Sequence, residues 1–275
     1  MQLEDAKVLS HERLAGEYLF LRLEAPGIAA DAAPGQFVHL RVPALEPSAL
    51  RRPFSICGAE PRTGTLEILY KRVGRGTRAM ENLGPGDAVN LMGPLGNVFP
   101  MPAENAPPVL VAGGFGVAPL LFLCKRILEN DTKIGTFRTR PNAPVLFVGG
   151  RTAVDILLLG EFEKNNIETV VCTNDGSLGE KGFVTVALDK HLDGALRDGA
   201  VTLYSCGPEP LLEAVDKRAA EHGLTAWLSL DRRMGCAVGA CLGCIVKTKT
   251  SPDAPPAQLR VCKDGPVFPA GTIIW

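Results

Sequence analysis

Over its first hundred residues the chain alternates apolar and polar side chains in short runs, at 18–23, 36–42 and 66–71, cut repeatedly by Gly and Pro. Alternation with period two, bounded by turn residues, predicts short antiparallel strands that close into a barrel. Turn-rich stretches at 92–97 and 100–102 mark a boundary. Beyond it the pattern changes. Residues 109–112 are wholly apolar and precede a helical pattern at 118–129. A second apolar strand at 144–149 leads to a helical stretch at 156–163. Further strands are expected at 169–172 and 201–205, and a helix at 208–222 with Pro208 in its first turn. Buried strands alternating with helices predict a doubly wound parallel sheet. A cysteine-rich segment begins near residue 229. The expected architecture is therefore α/β plus all-β: an antiparallel β-barrel over 1–102, a parallel-sheet domain over 103–228 and a small module over 229–275.

Composition narrows the function classes. Lys+Arg 29 against Asp+Glu 30 gives a net charge of -1, with no basic excess to attract nucleic acid or anionic lipid. No apolar run reaches the roughly 20 residues that span a bilayer, and the first residues lack the pattern of a secretory signal. Eight cysteines in such a chain imply a reducing compartment. The expectation is a cytoplasmic protein that binds neither nucleic acid nor membrane.

Four of those cysteines carry the most specific chemistry. Cys236, Cys241, Cys244 and Cys262 read C-x4-C-x2-C-x17-C, the spacing of plant-type [2Fe-2S] sites. Three thiolates from one tight loop need backbone freedom, supplied by Gly235, Gly239 and Gly243. The alternative is a structural zinc knuckle, but zinc loops usually pair two C-x2-C units, whereas four residues separate the first pair here.

Other motifs are weaker alone. Gly113, Gly114 and Gly116 follow the first apolar strand and open a helix, where a doubly wound sheet binds nucleotide phosphates. Cys206, Gly207 and Pro208 end a later strand at the same edge, and the Cys206 thiol could face a nicotinamide ring. Residues 175–179 and 181–183 form a further polar loop, either a ribose contact or a turn. In the barrel, Arg52 suits a pyrophosphate, Phe54 a flat ring and Ser55 a ring nitrogen. Gly76 lets a phosphate approach, and Thr77 suits the N-cap of a short helix over 77–83. The four histidines are scattered, with no base beside a nucleophile.

In this order the motifs resemble the ferredoxin–NADP reductase superfamily, whose Arg-x-Tyr-Ser pattern departs here only by Phe54 for Tyr. The resemblance implies that the barrel holds FAD, through Arg52, Pro53, Phe54, Ser55, Leu69, Tyr70, Lys71, Gly76 and Thr77. It implies that the sheet holds NAD(H) as co-substrate, through Gly113, Gly114, Gly116, Cys206, Gly207 and Pro208. Ser55 and Cys206 would flank the reacting rings as catalytic residues. With residues 260–268 around Cys262, the whole chain resembles the electron-transfer subunits of B-type, NAD-dependent dihydroorotate dehydrogenases. That implies electron relay in UMP biosynthesis through FAD and a [2Fe-2S] cluster to an FMN-containing catalytic subunit, in a heterotetramer of two subunits of each kind. The cluster module, with Phe268 or Trp275, is expected near that partner. A diaphorase subunit of a hydrogenase or of a ferredoxin–NADP transhydrogenase is the nearest alternative. NADH and NADPH both remain open, since Arg151 and Thr152 suit either.

Overall fold

The structure is a computed structural model of the 275-residue chain. It describes residues 1–42, 50–103, 106–133, 143–195, 201–249 and 256–275. The N-terminal part is a closed six-stranded barrel in the order β1-β2-β5-β4-β3-β6. Its strands are β1 (Gln2–Ala15), β2 (Tyr18–Glu24), β3 (Phe37–Leu40), β4 (Arg52–Glu60), β5 (Thr65–Lys71) and β6 (Ala88–Leu95), all antiparallel. Inward-facing Leu21, Leu23, Val38, Leu40, Ile56, Ile68 and Leu91 form its core, as the alternation predicts. The short helix α1 (Pro26–Asp31) adds Ile28 to that core; Glu4 on β1 accepts the N–H groups of Gly27 and Ile28 at its first turn. A second short helix, α2 (Arg75–Met80), leaves β5.

The second layer is a seven-stranded sheet of order β10-β9-β8-β7-β11-β12-β15. Its strands are β7 (Pro108–Gly113), β8 (Val145–Gly150), β9 (Glu168–Thr173), β10 (Glu180–Lys181), β11 (Thr202–Cys206), β12 (Thr225–Ser229) and β15 (Val267–Pro269). All pairings are parallel except β12 with β15. The connecting helices are α3 (Val117–Lys133), α4 (Leu159–Glu163), α5 (Val184–Ala195) and α6 (Glu209–His222). Helix α3 is apolar nearly all round at its start because it is a wedge between layers. Phe122 joins the barrel core, while Leu120, Leu123 and Ile127 pack against the sheet.

The C-terminal module holds a hairpin of β13 (Ile245–Thr248) and β14 (Ala257–Arg260), then one helical turn, α7 (Val261–Asp264). It is not a separate lobe. Its last strand completes the sheet, and Cys244, Val246, Val261, Cys262 and Phe268 share one apolar cluster with Val109 and Leu228 of the sheet and with Phe37 and Leu95 of the barrel.

Several expectations shift. The helix expected over 77–83 runs instead over Arg75–Met80, so Thr77 is not its N-cap. Thr77 Oγ1 reaches back to accept the N–H groups of Val73, at 2.9 Å, and of Gly74, at 3.1 Å. The helical stretch expected over 156–163 shortens to α4 after a 3₁₀ turn, Ala153–Asp155. Phe268 does not face outward: its ring is 2% exposed, sealed by pairing with Leu228. Trp275 is half-buried, with its indole N–H donating to Asp216 on α6 at 2.7 Å.

Candidate functional site

Strand order reverses between β7 and β11, because β8 and β9 lie on one side and β12 on the other. At such a switch point the loops leaving the carboxyl ends diverge and open a crevice for ligands. The two sheet motifs meet there. A Cβ on Gly116 would stand 2.2 Å from the Cys206 carbonyl oxygen, and one on Gly207 would stand 2.9 Å from the Gly113 nitrogen. Only glycine allows this approach. Gly114 also has φ +54, which turns the chain from strand into helix.

The crevice faces a cavity of about 210 Å³ between barrel and sheet. Arg52, Pro53, Phe54, Ser55, Leu69, Tyr70, Lys71 and Thr77 line it from the barrel, and Gly116 and Cys206 from the sheet. Gly76 lies just outside, where its Cβ would press on Arg52 Nε at 2.8 Å. Gly113, Gly114, Gly207 and Pro208 shape the loops behind the wall without lining it. Phe54 and Tyr70 pack with ring centroids 5.6 Å apart, and the Tyr70 hydroxyl is fixed by His11 at 2.9 Å. These apolar walls, with the Ser55 hydroxyl, suit a flat heteroaromatic ring. Burial drives the Cys206 thiol up to about 12, with Asp231 adding to the effect. Cys206 is therefore a neutral thiol in the wall rather than a nucleophile.

Motif reading missed other lining residues: Phe37, Val73, Ser229, Asp231, Met234 and Pro266. Asp231 had a signal, an acid two residues past the last parallel strand and just before the cysteine loop. Burial of its carboxyl among protein atoms raises its pKa, although the residue opens onto the crevice.

Arg52, Pro53, Val73, Asp231 and Met234 also line a wider groove of about 1240 Å³, which continues past Arg51, Arg75, Arg232 and Arg233 to Cys241. Cavity and groove thus share a wall, and the arginines along the groove toward the cysteine loop suit a pyrophosphate.

The sulfurs form pairs. Cys236 Sγ accepts the N–H groups of Ala240 and Cys241, each at 3.3 Å. Burial acts against its ionisation, but the N–H donors of Cys241 and Val238 outweigh it and bring the thiol down to about 6. Cys262 N–H donates to Cys244 Sγ at 3.4 Å. Burial, then the neighbouring Cys244, pushes the Cys262 thiol up to about 12. Among the described residues no three His, Cys, Asp or Glu side chains converge on one point that could hold a metal ion. Cys236 with Cys241 and Cys244 with Cys262 would supply two thiolates to each of two irons, the donor set of a [2Fe-2S] cluster.

Three family models match successive parts of the chain. One described as an oxidoreductase FAD-binding domain covers 1–99, an oxidoreductase NAD-binding domain covers 110–217, and the iron-sulfur cluster binding domain of dihydroorotate dehydrogenase B covers 231–274. A solved structure of an NADH-dependent reduced ferredoxin-NADP oxidoreductase superposes with a TM-score of 0.79 at 26% identity, over 98% of this chain and 90% of its own. The dihydroorotate dehydrogenase B electron transfer subunit of Desulforamulus reducens is 38% identical over 271 residues, 98% of either chain. That of Geobacillus thermodenitrificans is 36% identical over 273 residues, again 98% of each. With its barrel, switch-point crevice and paired cysteines in this order, the chain belongs to the family of dihydroorotate dehydrogenase B (NAD+) electron transfer subunits.

Proposed function

We propose that the chain passes electrons between NAD(H) and a partner FMN-containing dihydroorotate dehydrogenase catalytic subunit, in pyrimidine biosynthesis in the cytoplasm. One observation carries this reading. A single cavity joins barrel residues Phe54 and Ser55 to sheet residues Gly116 and Cys206 and shares Arg52, Pro53, Asp231 and Met234 with the groove that reaches Cys241. FAD held there would supply hydride exchange with NADH, and a [2Fe-2S] cluster held by the four cysteines would supply one-electron transfer.

The chain supplies position and electrostatics. Phe54 and Tyr70 offer an aromatic face, and Arg52 with Arg75 a cationic groove for the pyrophosphate. Ser55 lines the cavity and its hydroxyl would be available to a ring nitrogen. Gly113, Gly114 and Gly116 clear room for the dinucleotide phosphates, and Cys206 is a neutral wall against which a nicotinamide can lie. Cys236, Cys241, Cys244 and Cys262 hold the irons. The working divisions are 1–102 for FAD, 103–228 for NAD and 229–275 for the cluster. The exposed loop around Cys241, with Val238 and Leu242 at its tips, suits contact with the partner, in an assembly of two subunits of each kind. Among the described residues no helix is long and apolar enough to cross a membrane.

The first test is the visible spectrum of anaerobically purified protein, with flavin and iron assayed on the same sample. The expected result is about one flavin and about two irons per chain, both reduced on adding NADH. A colourless protein carrying one zinc would overturn the reading.

A further inference from the structure

The stretch after β6, Gly96-Asn97, makes an unusual junction. Asn97 N–H donates to the Gly265 carbonyl at 2.7 Å. Its side chain then behaves as a neighbouring strand would. Nδ2 donates to Val267 O at 2.7 Å while Oδ1 accepts Val267 N–H at 2.9 Å. Nδ2 also donates to Asp264 O at 3.2 Å. Val267 opens β15, the edge strand of the sheet, so this one amide covers backbone groups that would otherwise lack partners. Gly96 beside it has φ +78, and a Cβ there would lie 2.5 Å from Pro266 Cδ. The two backbones are therefore in contact.

On each side of the junction lies one half of the electron path. On the barrel side, Leu95 pairs with Phe37, which pairs with Ser55, and both Phe37 and Ser55 line the flavin cavity. On the module side, Asp264 is two residues beyond Cys262. Its carboxylate turns back to accept the Arg260 N–H at 2.8 Å and its guanidinium at 2.9 Å, closing the turn that carries Cys262. Pro266, between Asp264 and Val267, itself lines the cavity.

We infer that Asn97 is a positioning residue that fixes the fourth cluster thiolate, Cys262, relative to the flavin cavity, and so sets the rate of electron transfer between flavin and cluster. The inference rests on the function proposed above. Electron transfer slows as donor and acceptor separate, so contacts that hold the two sites in place also set its rate. All the Asn97 contacts reach the 264–267 segment beside Cys262 and none touches the Gly113–Gly116 loop, so the cluster step responds to them more than the hydride step.

The test uses the loaded protein carrying Asn97→Asp, which keeps size and the acceptor but replaces the donor by a charge facing two carbonyl oxygens. Rapid mixing with NADH separates flavin bleaching from cluster reduction, and amide hydrogen exchange reads the 264–268 segment without reference to activity. The expected result is flavin and iron contents as in wild type, flavin bleaching within about twofold, cluster reduction slowed about tenfold and exchange of 264–268 accelerated about tenfold. Unchanged cluster reduction alongside faster exchange overturns the inference. If Asn97→Asp fails to keep iron, Asn97→Ser, which retains a donor and an acceptor on a shorter arm, is measured in the same way. Iron lost from both variants also overturns it, since Asn97 would then be needed to retain the cluster rather than to space it. Absence of flavin and iron from the wild type defeats the functional reading instead, and leaves the exchange of 264–268 to judge the contact.

Discussion

His39 on β3 is 1% exposed, and neither ring nitrogen makes a hydrogen bond of normal length, though the Met234 backbone lies beside it. Burial, followed by the positive charge of Arg51, brings its pKa down from 6.5 to about 4. A depressed histidine folds neutral, so its contribution is complete above the unfolded value. It is lost as pH falls from about 6.5 toward 4, because the unfolded chain takes up a proton that the folded one resists. At 1.36 kcal/mol for each pK unit, this residue alone removes about 3 kcal/mol of stability between pH 7 and 4. Urea unfolding of wild type and His39→Leu across that range checks it. The variant should lose distinctly less stability on acidification, and parallel losses would show that the ring is not the titrating group. The Arg52 guanidinium adds a smaller push in the same direction. His39 lies in the wall where barrel meets cysteine loop, so acid should loosen that seam early.

Helix α6 shows how an element is fitted to its surroundings. Its buried stripe reads Leu212, Val215, Asp216, Ala219, with an acid 5% exposed amid apolar neighbours. The last residues of the chain explain it. Gly271 N–H and the Trp275 indole N–H both donate to the Asp216 carboxylate, tying the C-terminal module to the sheet's outer helix. Trp275→Phe keeps an aromatic ring, smaller than the indole, and leaves a carboxylate oxygen without its donor, a loss that by itself costs about 1–3 kcal/mol. Thermal melting should fall accordingly, whereas an unchanged melting point would mean that water replaces the indole at no cost. Asp216 also marks where sequence reading stops. Local alternation and apolar runs traced β2, β3 and β5 of the barrel and β7, β8, β9 and β11 of the sheet, since burial on one face or two leaves a periodic trace, but β1, β4, β10 and β12 went unread and the boundary expected at 92–97 falls partly within β6. Cys236, Cys241, Cys244 and Cys262 were legible by spacing, and Arg52 to Ser55 with Gly116 and Cys206 by motif. Strand β15 was not, because three residues carry no period and its pairing with β12 spans the cysteine loop. Asp231 and Asn97 escaped for a similar reason. Each acts through partners remote in sequence, and Asn97 stood in a stretch that reads only as a boundary.

At the scale of the whole molecule, hydride transfer requires barrel and sheet to keep one relative position, because reacting atoms must approach to about 3–3.5 Å. A second polar contact, apart from that of Asn97, crosses the seam between barrel and sheet. The Tyr18 hydroxyl on β2 donates to Asp155 Oδ1 at 2.6 Å, and Lys71 at the end of β5 donates to the same hydroxyl at 3.0 Å. The Lys71 ammonium also stands 3.7 Å from Asp155, and Asp155 Oδ2 accepts the N–H groups of Arg151 and Thr152 at 3.1 and 3.3 Å. Burial raises the Tyr18 pKa, and the Asp155 hydrogen bond adds to it. Burial also works to raise the Asp155 pKa, but the Tyr18 hydroxyl, the Thr152 N–H and the Lys71 charge together hold it below the ordinary 3.8. A depressed carboxyl contributes stability above its unfolded pKa and loses that contribution as pH falls through the carboxylate range. Asp155→Asn places an amide NH2 where donors already point, so it should cost about 1–3 kcal/mol at pH 7. The deficit against wild type should shrink as pH falls below about 4, where Asp155 of the unfolded wild-type chain takes up a proton that the folded carboxylate still resists. Lys71 lines the flavin cavity from the barrel while Asp155 follows β8 of the sheet, so loosening this pair should also slow flavin reduction by NADH with flavin content unchanged. Thermal melts at pH 7 and pH 3.5, with stopped-flow bleaching of the flavin, test both parts. A variant that melts with wild type at pH 7 would show that Tyr18, Lys71 and Asp155 meet across the seam without holding it.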